Sequence, residues 1–172
     1  MQHQAEPGES DLSFGFLTTV ESAAHGLFGG YLVVDALGRP LEFHCTAPVK
    51  VSRAQQILYG STLDGHLHGR QVGGALLGEA KATPAVVLTD SEAMLQVRPH
   101  TSLPVALVRR CDADTPLAPD AFTVGLAVVS PHAADAALAL ALEGRLATLA
   151  AAVDLCEPFE RIRAALDEAA RH

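Results

Sequence analysis

In the first apolar segment, residues 11–22, the apolar positions recur with a period of two. In "DLSFGFLTTVES", Phe14, Phe16, Thr18 and Val20 fall on one side and Thr19 and Glu21 on the other. That is the alternation of a half-buried strand rich in aromatic and β-branched residues. "SAAHGLFGG" reads as a glycine-rich connection, "YLVVDA" as a second strand, "LGRP" as a turn and "LEFHCTAPV" as a third strand. Three strands with short connectors predict an antiparallel meander over about residues 11–50.

A helical pattern follows. Ser52 and Gln55 form an S-x-x-Q capping box ahead of a short helix that Gly60 ends. Residues 61–80 stay open between helix and loop. Leu63, Leu67, Ala75 and Leu76 fit helical spacing in part, but each interspersed glycine costs about 1 kcal/mol relative to alanine. Beyond them the apolar runs become continuous. "PAVVLTD", "SEAMLQV" and "LPVALVRR" read as strand, short helix and strand, a compact βαβ element whose strands are buried on both faces. "FTVGLAVVS" predicts one further buried strand. Ser130 as N-cap with Pro131 behind it predicts the start of an Ala-rich helix lying close against the sheet or another helix. Phe159, Ile162, Leu166 and Ala169 stripe a final helix.

The expected fold is α/β or α+β. An N-terminal meander leads into helices and a βαβ element joined in one sheet, and two C-terminal helices end the chain. Residues 1–10 read as a disordered tail and 11–172 as a single globular domain.

Composition then narrows the function classes. With 49% apolar and 19% charged residues, the 172-residue chain has ordinary globular composition and length enough for a core. A net charge of −8, with 12 scattered Lys and Arg, argues against nucleic acid as a partner. Cys45, Cys111 and Cys156 form no C-x-x-C, so neither a zinc ribbon nor a disulfide framework is signalled, and a reducing cytoplasm is the expected location. "MQHQAEPGES" carries no signal-peptide pattern, and no apolar run approaches the ~18 residues of a membrane span, so no membrane partner is expected.

Candidate chemistry enters through "EFHCTAPVK". Strand alternation sets Leu41, Phe43 and Cys45 on one face and Glu42, His44 and Thr46 on the other. His44 and Cys45 therefore form no joint site, and Cys45 reads as a small buried hydrophobe. Glu42 and His44 form the candidate catalytic pair, because a carboxylate raises the pKa of an adjacent imidazole and fixes its tautomer. The plainer reading of the same pair is a surface ion pair.

His66 and His68 in "DGHLHG" point apart on a helix and together in a loop. In a loop, His44, His66 and His68 with a carboxylate make a candidate zinc site, although their spacing matches no recognised ligand set. "GRQVGG" lacks the phosphate-loop pattern. Asp90 and His132 are the alternative catalytic residues, placed at strand ends where parallel sheets bind ligands, although Asp90 and Ser130 also suit helix caps. Cys156, just ahead of the last helix, reads as apolar or capping.

Two functions follow. One is a small intracellular binding or assembly module, a subunit of a larger complex with a protein partner or self-association. The other is a small hydrolase-type enzyme using a His/carboxylate site, with or without a metal.

Overall fold

A computed structural model describes residues 12–171, so the expected tail at 1–10 lies outside the described residues. Strands β1 (Ser13–Ser22), β2 (Gly26–Asp35) and β3 (Pro40–Cys45) form the expected antiparallel meander. Strands β4 (Val87–Thr89) and β5 (Val105–Arg110) lie parallel to β1, and the 3₁₀ segment Glu92–His100 connects them as the compact βαβ element. A hairpin of β6 (Phe122–Val124) and β7 (Ala127–Pro131) completes a mixed α/β sheet of order β3-β2-β1-β4-β5-β7-β6.

β1 is buried on both faces from Phe14 to Thr18, where alternation alone predicts one face. Phe14 and Phe16 meet Leu142, Leu146 and Leu149 of α3 (Ala139–Ala150) and Phe159, Ile162 and Leu166 of α4 (Glu157–Ala170). The Phe16 and Phe159 rings make an edge contact at 5.2 Å. On the other face Leu17 joins Tyr31, Val33, Val72, Met94 and Val97 in a second core.

Gly29 and Gly30, expected in a connection, sit inside β2 because both helical layers press on them. A Cβ at Gly29 would meet Val72 Cγ1 at 2.1 Å, and one at Gly30 would meet Ile162 Cγ2 at 2.4 Å. Glycine within a strand here allows close approach from both sides.

α1 (Arg53–Tyr59) begins at the expected Ser52–Gln55 capping box and ends at Gly60. Residues 61–80 are mostly helical: a π-helix, Gly65–Gly74, runs into α2 (Ala75–Glu79). Its glycines are contact points rather than breaks. A Cβ at Gly69 would meet the Gln96 carbonyl oxygen at 2.5 Å, and one at Gly73 would meet Met94 Sδ at 2.9 Å. Packing against the 3₁₀ segment offsets the helical penalty of glycine.

Five expectations need correction. "FTVGLAVVS" is two strands, because Gly125, at φ 58°, turns the chain between Val124 and Ala127. Ser130 and Pro131 still pair with Leu107 and Ala106, so the helical segment starts later, at His132. α3 lies against the sheet as expected, but through Leu142, Leu146 and Leu149 rather than its alanines, of which 141 and 147 face solvent. The α4 stripe stops at Leu166, leaving Ala169 exposed. Cys45 is exposed rather than core: β3 is an edge strand, and its Leu41 and Phe43 are 55% and 41% exposed.

Candidate functional site

Glu42 and His44 share a face of β3, opposite Val33 and Tyr31 of β2 and on the α2 side of the sheet. His44 Nε2 lies 2.9 Å from Glu42 Oε1, the contact that the i, i+2 spacing predicts. The sequence does not foretell the other partners of that carboxylate. Glu42 also accepts the backbone N–H groups of Lys81 at 2.9 Å and Ala82 at 2.6 Å, tying β3 to the chain that leaves α2. The Lys81 amide first, then the His44 bond and the Ala82 amide, hold its pKa down at about 2. Such a carboxylate is a poor proton acceptor near neutrality. Beneath it, the buried Tyr31 hydroxyl has no hydrogen-bond partner among the described residues, and burial pushes its pKa up.

Asp90 and His132 are not brought together. Asp90 follows the carboxyl end of β4, whereas β7 runs antiparallel to β5 and carries His132 to the opposite end, where its N–H donates to Val105. Asp90 accepts the Thr18 hydroxyl at 2.6 Å and pairs with Arg163 of α4. It therefore anchors α4 to the sheet and is not a helix cap. His132 Nδ1 accepts the Ala134 N–H at 3.0 Å and caps the 3₁₀ turn ahead of α3.

The histidines of "DGHLHG" turn to separate neighbours, as helical spacing requires. His66 stacks on Tyr59 with ring centroids 4.4 Å apart, and its Nε2 accepts from the Gln71 amide at 3.0 Å. His68 donates its Nδ1–H to the Asp64 carbonyl at 3.0 Å. Among the described residues no group of three His, Cys, Asp or Glu side chains is arranged to hold a metal ion. The candidate zinc ligands His44, His66 and His68 are accordingly not gathered into one site.

A cleft of about 510 Å³ opens beyond the carboxyl end of β1. It is lined by Glu21 and Ser22 of β1, Leu27 of β2, Lys50, Gln56 of α1, Asp64, and Leu67 and His68 of the π-helix. Its volume is in the range of small-molecule sites, and π-helices are frequent at functional sites. The Nδ1–H bond to the Asp64 carbonyl orients the His68 ring. Glu21, Leu67 and His68 are each marked in the sequence by the pattern of their own segment, but only the fold unites them. A second cleft, about 310 Å³, has Arg109 and Arg110 in its lining. Both guanidiniums are engaged, by Glu92 and Asp154 respectively.

No family model and no curated protein matches the chain. Among solved structures, Marinitoga piezophila Argonaute in complex with a 5′-OH guide RNA matches with a TM-score of 0.38 and 10% identity, over 72% of this chain and 23% of that one. The same Argonaute with guide RNA and target DNA matches with a TM-score of 0.36 and 8% identity, over the same shares. The chain thus spans under a quarter of the Argonaute length. Against these structures, the expectation of a protein partner or self-association with nucleic acid excluded does not stand. Net charge is a sum over the whole chain and says nothing about a local surface, so it excludes no partner class. Likeness this weak carries no argument for RNA in its place. No helix among the described residues is long and apolar enough to cross a membrane.

Proposed function

We propose that the chain is a small non-catalytic binding module whose ligand site is the cleft between the β1–β2 hairpin and the π-helix. One observation carries this reading: the residues that the sequence nominates for acid–base chemistry, Glu42 with His44, Asp90 and His132, are engaged by the fold. Glu42 receives three donors, Asp90 receives Thr18 and Arg163, and the His132 Nδ1 lone pair caps a turn. In the cleft, no hydrogen bond or ion pair engages the carboxylate of Glu21 or Asp64 among the described residues, while His68 bonds the Asp64 carbonyl. The proposed location is the cytoplasm, supported by free cysteines at 45, 111 and 156, of which the first two are exposed.

The alternative is a His/carboxylate hydrolase built on Glu42 and His44, whose hydrogen bond supports it. Activated carboxylic and phosphate esters separate the two readings. Purified chain, with and without added zinc, is expected to release product no faster than heat-denatured chain. Turnover that His44→Ala abolishes while the thermal midpoint holds would overturn the binding reading.

A further inference from the structure

We infer that residues 50–60, which carry α1, are a lid on the cleft, latched by the stack of Tyr59 on His66. The inference rests on the binding reading above and adds how access to that site is governed. A helix of seven residues is not stable in water by itself, so its neighbours have to hold it. α1 gains little from packing: none of its side chains is buried, and Ile57 and Leu58 are 67% and 82% exposed. The Ser52–Gln55 capping box acts within the segment. What ties the helix to the π-helix is the ring stack, with centroids 4.4 Å apart and planes at 20°.

The segment has a pivot at each end. Val49 exchanges two backbone hydrogen bonds with Leu27, at 2.8 and 2.9 Å, and fixes the chain to β2. Gly60 turns it at φ 53°, with nothing within 4 Å of where a Cβ would stand. Between these points Lys50, Val51 and Gln56 contribute to the cleft lining. Leu27 and Leu67 line the same cleft and are each 8% exposed. With the rings stacked that wall is in place; with the rings apart the segment swings on Val49 and Gly60 and bares the two leucines. Segments that open at low cost are the usual material of lids. The π-helix stays behind, because its Gly69 and Gly73 press closely on Gln96 and Met94.

The test reads opening without any ligand. Amide hydrogen exchange should show residues 56–60 opening together, faster than Leu32 and Val33 in the core of β2. In Tyr59→Ala that exchange should rise roughly fivefold, the factor one aromatic pair supplies, with the thermal midpoint unchanged. Alanine is the better helix former, so a merely local role of Tyr59 would slow the exchange instead. Tyr59→Phe keeps a ring and should match the natural chain. In parallel, a soluble nitroxide should attenuate the methyl signals of Leu27 and Leu67 more strongly in Tyr59→Ala than in the natural chain. Exchange of α1 at the rate of the β2 core, no rise in Tyr59→Ala, or a rise with unchanged methyl attenuation would overturn the inference. The binding reading itself falls to the ester-turnover result, so the two failures are distinguishable.

Discussion

Replacing Glu42 with glutamine removes one charge and almost none of the shape. The carboxylate receives three donors, from Lys81 N at 2.9 Å, Ala82 N at 2.6 Å and His44 Nε2 at 2.9 Å. A bond to a charged acceptor contributes roughly 1.5–3 kcal/mol. Glutamine keeps one acceptor oxygen, and the Glu42 side chain is 20% exposed, so screening reduces the net loss to about 2 kcal/mol. For a chain of this length that lowers the thermal midpoint by roughly 4–8 °C.

The pH dependence is the sharper part. The folded pKa, about 2, lies below the ordinary 4.5, so the stabilisation is full above the ordinary value and is lost as pH falls from 4.5 toward 2. Glutamine has no such term at any pH. Urea unfolding of both proteins should therefore give a difference of about 2 kcal/mol near neutrality that closes as pH falls to about 2. A gap of constant size across that window, or no gap at neutrality, would refute the clamp.

Three further outcomes follow from the packing. Tyr31→Phe removes a buried hydroxyl that has no partner among the described residues and should be neutral or stabilising by about 1 kcal/mol in urea unfolding; a loss of that size would mean the hydroxyl is bonded. Asp135 is 2% exposed and accepts from Arg98 Nε and Val105 N, both at 3.0 Å, so Asp135→Asn should cost about 3–5 kcal/mol by stranding the guanidinium. An aromatic disulfide reagent should modify Cys45 in the native state well before Cys156, whose thiol is pushed up by burial and by Asp154; equal rates would contradict the exposed edge strand.

What could be read from the chain is what local periodicity carries. The meander, the Ser52–Gln55 box, the βαβ element and the Phe159–Ile162–Leu166 stripe each depend on residues a few positions apart. What could not be read depends on neighbours distant in sequence. Gly29 and Gly30 look like a connection until Val72 and Ile162 press on them from opposite faces. Cys45 looks like core until β3 proves to be an edge. Ser130 and Pro131 match a helix start, yet pairing with Leu107 and Ala106 keeps them extended.

The same division holds for the site. Strand alternation correctly pairs Glu42 with His44, but the Lys81 and Ala82 amides that change the meaning of Glu42 lie 39 and 40 residues away. The cleft joins still more scattered segments, and local pattern marks single residues of it, such as Glu21, Leu67 and His68, without joining them.

The central claim is that the acid–base residues serve the fold, and Glu42 is its clearest case. Amide hydrogen exchange at Lys81 and Ala82 reads it directly, with Glu42→Gln for comparison. Both amides should be protected in the natural chain and lose that protection together in the variant. Equally fast exchange in both proteins would leave the carboxylate free for chemistry and contradict the account.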